Sequence, residues 1–226
     1  MARGIVLAVL MIVGGTLGAW GQESAQFFRS LEVGWNICDL AELNRLLSAQ
    51  GYPTVANELF IWGGENTVLP TGVLGGWSVT VSNWYGSTAV QRDGKLTRFT
   101  LTWFGGVAER PLFKSASMPL TPTAGLIGGV GISNLTVLDH RPEDLQEALR
   151  SPAAAFFTRW FFTVGPQLSV SLPLITLGES RALVLKLSVG YGVTFDNGMW
   201  DQEGRALKGP PANFNSWIVQ LSVGLE

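Results

Sequence analysis

The chain has 226 residues, with 15 Lys+Arg against 17 Asp+Glu for a net charge of −2, and is 46% hydrophobic but only 14% charged. That balance excludes a disordered acidic or basic tail, and the lack of any Lys/Arg-rich run removes the electrostatic footprint of a nucleic-acid binder. One Cys and one His exclude an internal disulfide framework and a Cys-clustered zinc site, so no metal or cofactor is expected.

Residues 1–21 have the form of a secretory signal peptide. Arg3 precedes an apolar run from Ile5 to Val13, and Ala19-Trp20-Gly21 supplies small residues at a cleavage point. No Cys lies near that point to accept a lipid. The run is shorter than the ~20 residues a spanning helix requires. The remainder, 22–226, is expected to be one domain and to be exported.

From Phe27 onward the dominant period is two, which predicts strands with two chemically distinct faces. In chain order the expected strands are 31–37, 59–63, 77–85, 98–107, 126–138, 159–174, 182–195 and 216–225. The pattern in 126–138 changes phase around Asn134, which predicts a bulge. The clearest case is 182–195. Leu183, Leu185, Leu187, Val189, Tyr191, Val193 and Phe195 share one face, opposite Ala182, Val184, Lys186, Ser188, Gly190, Gly192 and Thr194.

Connections at 38–57, 86–95, 139–155 and 196–213 should be long and share one end, with those at 64–76, 109–122 and 176–181 at the other. Two of the long connections carry helix signals. Asp39 to Glu42 forms a capping box, followed by a Leu43, Leu46, Leu47 stripe and Gly51 as the stop. The second helix is expected over 142–149, opened by Pro142 and acids in its first turn.

Alternation alone does not say which face is buried, but the polar face does. It is mostly Ser, Thr and Gly with isolated charges, namely Glu32, Arg98, Arg159 and Lys186. A water-facing surface carries many more Lys and Glu. Small residues with a few ion pairs instead suit a narrow, side-chain-filled lumen, so these four are expected to form an interior charge network and the apolar faces to meet lipid. Trp35, Tyr85, Tyr191, Phe195 and Trp217 fall at the long-loop ends of their strands and Trp77 at the opposite end. That is the distribution of two interfacial aromatic girdles.

This pattern resembles the small eight-stranded outer-membrane β-barrel proteins of Gram-negative-type bacteria. The resemblance implies an all-β, antiparallel up-and-down barrel, embedded in the outer-membrane bilayer by the outer-membrane assembly machinery. Such proteins usually end in an aromatic residue, whereas this chain ends Leu225-Glu226. The expected role is non-enzymatic, structural or surface-interacting. Two alternatives stand beside it: an outer-membrane lipid-modifying enzyme using His140, and a soluble secreted barrel that turns its apolar face inward around an apolar ligand.

Overall fold

In a computed structural model, the described residues are 29–113, 119–139, 154–177, 182–196, 198–209 and 214–225. The expected segments at 1–21 and 142–149, and His140, lie outside them. The strands are β1 Arg29–Cys38, β2 Glu58–Leu74, β3 Trp77–Arg92, β4 Lys95–Pro111, β5 Thr121–Leu138, β6 Ala154–Thr176, β7 Ala182–Phe195, β8 Met199–Gln202, β9 Arg205–Lys208 and β10 Ser216–Leu225, with one helix, α1, at Ala41–Ala49.

Eight of the strands close a barrel. Each of β1 to β6 pairs antiparallel with its successor, β7 pairs with β10, and β10 returns to β1. The short β8–β9 hairpin hangs on the upper part of β6 through Thr158 and Asp201. Closure leaves the eight barrel strands without a free edge over the length of their pairing. Following hydrogen-bonded partners once around, from Arg29 through Asn66, Val81, Gly106, Gly128, Val164 and Val193, returns to β1 about ten residues further along. Such a stagger goes with strands tilted by ~40° to the barrel axis.

The strands run longer than the alternating pattern alone marks out. β2, β3 and β4 have 17, 16 and 17 residues, joined by two-residue turns at Gly75-Gly76 and Asp93-Gly94. All four turn residues have positive φ, the geometry that matches the right-handed twist of a hairpin. The expected loop at 86–95 is therefore mostly strand, and so is most of 64–76. The predicted bulge near Asn134 is also absent: β5 keeps unbroken register with both neighbours from Thr123 to Leu138. Register shifts occur instead in β2–β3 beyond Thr67 and in β6–β7 at Pro173.

The phase change near Asn134 has a different cause. Inward residues of β5 pass from Gly129, Gly131 and Ser133 to Leu135 and Val137, while outward ones pass from Val130 and Ile132 to Asn134 and Thr136. The backbone does not slip; the chemistry of the two faces exchanges. β3 does the same, with Thr80 and Ser82 inside giving way to Trp84, and Val79 and Val81 outside giving way to Ser87 and Gln91. β4 follows, with Phe99, Leu101 and Trp103 inside and Thr100 and Thr102 outside at its upper end.

Helix α1 lies at this upper end, with Leu40, Leu43 and Leu47 buried. Leu46 of the expected stripe is exposed. The capping box is not formed: Leu40 occupies the N-cap without a side-chain bond, Ala41 N–H donates to Asp39 Oδ1 at 3.2 Å, and Glu42 pairs with Arg45 at 2.8 Å. Gly51, at φ +74°, ends the turn as expected. Its loop is tied to the β4 and β5 ends, because Tyr52 Oη donates to Asp139 at 2.7 Å and Lys95 Nζ sits 4.8 Å from the Tyr52 ring. That bond to a carboxylate holds the Tyr52 phenol above the ordinary tyrosine range.

Candidate functional site

The barrel presents two surfaces on which function can rest: an outer belt and a filled interior. On the belt, the outward faces of β1 from Leu31 to Ile37, of β7 and β10, and of β6 from Trp160 to Leu174, carry no charged residue. Many of these side chains are largely exposed, Leu31 at 65%, Leu168 at 60% and Leu187 at 49%. Isolated exposed apolar residues are ordinary, but a continuous belt of them is not.

Near the upper edge of the belt, allowing for strand tilt, lie Trp35, Phe60, Trp62, Tyr85, Phe104, Tyr191 and Trp217. Adjacent rings meet edge to face or tilted: Trp35 and Phe60 at 5.9 Å, Trp62 and Tyr85 at 6.1 Å, Tyr191 and Trp217 at 5.0 Å. Phe195 points outward with them, and Trp77 points outward at the opposite end of β3. Phe60, Trp62, Phe104 and the exposed Trp160 belong to the same outer surface but were not among the expected girdle residues.

The lumen is filled in two layers. The lower one is polar. Lys186 Nζ lies 2.7 Å from Glu109 and 3.6 Å from Glu65. Glu109 also accepts from Ser169 at 2.6 Å and Gln167 at 3.2 Å. Glu32 accepts from Ser82 at 2.7 Å, and Ser222 reaches Glu65 at 3.5 Å. All four ionisable side chains are buried. Burying charge is tolerable only with such partners.

The upper layer is aromatic. Trp84 and Trp103 stack at 5.4 Å, and Phe99, Phe161 and Trp200 surround Phe214 at 5.5 to 6.4 Å. The Phe161 ring lies over its cross-strand partner Gly131, where a Cβ would collide with it, so only glycine fits there. Between the layers a cavity of about 10 Å³ is lined by Asn36, Trp84, Trp103, Thr163 and Ser216 among others. It has room for one water. Cys38 Sγ, nearby on β1, donates to Asn36 at 2.6 Å and is buried, a structural thiol.

The structure separates the four charges expected to form one network. Glu32 and Lys186 share the lower layer. Arg159, 1% exposed, lies higher up: it pairs with Asp196, and its guanidinium sits 5.5 Å from the Trp200 ring and 5.3 Å from Phe214. Arg98 is a correction. It falls on the outward, exposed face of β4, because Phe99 and Thr97 take the inward positions. The partners that complete the lower cluster, Glu65 and Glu109, were assigned to loops. The signal was present in parity: Glu65 is in phase with Leu59 and Ile61, and Glu109 with Trp103 and Val107.

Among the described residues, no group of three or more His, Cys, Asp and Glu is placed to hold a metal ion. The soluble alternative required the apolar faces to point inward; those of β6, β7 and β10 point outward. No protein-family model matches the chain, and no curated protein matches it either.

Proposed function

We propose that this chain is an outer-membrane β-barrel with no turnover, a closed stave that anchors its upper end at the cell surface in a structural or interaction role. The single observation that carries the reading is the uncharged, exposed apolar belt ringed by Trp, Tyr and Phe at its upper edge. An antiparallel barrel crossing lipid requires such a belt, ~25 Å tall and flanked by aromatics. A 17-residue strand is ~56 Å long, which at ~40° tilt spans ~43 Å along the axis. The strands therefore outreach the belt, and the exchange of faces on β3, β4 and β5 falls where the wall would leave lipid for water. The filled lumen supports a role without conduction, since an eight-stranded barrel is just wide enough for its own side chains.

Envelope fractionation with boiled and unboiled gel samples tests the location. A heat-dependent mobility shift in the outer-membrane fraction is expected, since a closed barrel satisfies its backbone internally and resists detergent. Soluble protein without a shift would overturn the reading. For the absence of turnover, wild type and His140→Ala are incubated with phospholipid. Neither should alter the lipid, and modification that the variant loses would establish an enzyme instead.

A further inference from the structure

We infer that the outward face of the raised wall, built by the upper ends of β3 to β6, binds the phosphorylated saccharide headgroups of surrounding glycolipid. This rests on the membrane reading and specifies what one side of the barrel touches above the hydrocarbon. Only this side rises. β1 ends at Cys38, three residues past Trp35, and β10 begins at Ser216, next to Trp217, whereas β4 continues from Phe104 out to Lys95.

The face is a hydrogen-bonding ladder. Ser87, Thr100, Asn134 and Thr158 are successive cross-strand partners. Asn134 donates to Thr100 at 3.4 Å and accepts from Thr158 at 2.9 Å, fixing the amide in the plane of the row. One row higher, Arg98 lies beside Thr136, which lies beside the exposed Phe156.

Two features select the occupant. Arg98 is the one formal charge among the outward side chains of these strands between Tyr85 and the β3–β4 turn and between Leu96 and Phe104. No carboxylate accompanies it on β5 or β6 at that height, and the carboxylate that borders the ladder, Asp201 opposite Thr158 on β8, lies three strands from Arg98. A wall facing plain water mixes Lys with Glu; a single guanidinium among hydroxyls and an amide complements phosphate set among sugar hydroxyls. Depth points the same way. Six residues separate Arg98 from Phe104, ~15 Å along the axis at the usual rise and tilt. A phospholipid headgroup layer is only ~5–8 Å thick, so Arg98 would stand above it, yet within a layer of lipid-linked phosphorylated sugars.

The test uses the full chain folded in neutral detergent and titrated with lipid A bearing core sugars, with phosphatidylglycerol (phosphate without that saccharide) and with inorganic phosphate, followed by tryptophan fluorescence. The glycolipid should bind at a concentration at least about tenfold below phosphatidylglycerol. Arg98→Gln should weaken it about tenfold or more, the loss typical of one charge-assisted hydrogen bond. Thr100→Val with Asn134→Leu should weaken it too, and Arg110→Gln, which changes an exposed cation at the opposite end of β4, should not. Equal binding of both lipids, an equal response to inorganic phosphate, or indifference to Arg98→Gln in protein that still shows the heat-dependent mobility shift would each overturn the inference while leaving the barrel reading intact. Loss of the shift in wild type would instead remove the membrane reading itself.

Discussion

Leu187→Arg separates a lipid-facing belt from a merely exposed one. Leu187 points outward from the middle of β7, 49% exposed, between its cross-strand partners Val170 and Leu221. In water, an arginine at such a position changes stability by no more than about 0.5 kcal/mol, because it removes no packing and can hydrate freely. Near a bilayer midplane the same residue costs about 2–4 kcal/mol. The control is Thr100→Arg, outward on β4 above the belt, where the cost should stay near zero. Reversible urea unfolding in phosphatidylcholine vesicles, followed by tryptophan fluorescence and the gel shift, reads the difference. With a slope of about 2 kcal/mol per molar urea, Leu187→Arg should lower the midpoint by about 1–2 M and Thr100→Arg by under ~0.3 M. If both variants unfold within ~0.3 M of wild type, the belt does not face lipid and the argument from its composition fails.

Further perturbations probe the interior and the cap. Lys186→Met leaves Glu65 and Glu109 buried without their cation and should cost about 3–5 kcal/mol; adding Glu109→Gln should return part of that loss, and strictly additive costs in the same unfolding assay would show that the pair is not coupled. Gly131→Ala should destabilise by about 1–3 kcal/mol through the collision with Phe161, and Phe161→Leu in the same chain should relieve part of it. An unrelieved loss would place the strain elsewhere. Of the three tyrosines, Tyr52 should ionise above the ordinary range because its phenol donates to Asp139. Its folded value is raised, so the stabilisation it contributes is present at neutral pH and is lost as pH climbs through that raised value. Ultraviolet titration should lose a component that ionises above the ordinary tyrosine range in Tyr52→Phe, and an unchanged curve would contradict the bond.

The barrel and its strand count were legible because β7 and β10 keep their outward faces apolar from end to end, and β6 does so from Trp160 to Leu174. Leu183 to Phe195 on one side and Val184 to Thr194 on the other leave no doubt about period or polarity. β3 and β4 were cut short because their faces exchange character partway up. A rule that seeks one apolar face ends the strand at Tyr85 or begins it at Arg98, although pairing continues to Arg92 and Lys95. The same exchange hid the outward phase of Arg98 and made a straight β5 look bulged. Glu65 and Glu109 were missed for a related reason: each follows a glycine-containing stretch that reads as turn, and only the partner across the lumen, Lys186, identifies them as interior. Contacts of this kind join residues 77 or more positions apart, which local periodicity cannot see.

The ladder between β1 and β10 joins residues 29–38 to residues 216–225, with Arg29 directly opposite Leu225. Nothing earlier in the chain can seal the cylinder, so the last stave to be synthesised is the one that removes both open edges. Folding is then a problem of high contact order, in which a ring must wait for its own end. The same adjacency makes the cut between first and last stave arbitrary. Joining β10 to β1 by a short linker and opening the chain instead at the exposed Asp93-Gly94 turn should give a permuted barrel with the same walls. In that molecule β4 would come first and β3 would be the latecomer that meets it, and the seam would move three-eighths of the way around the circumference without changing a single inward-facing side chain.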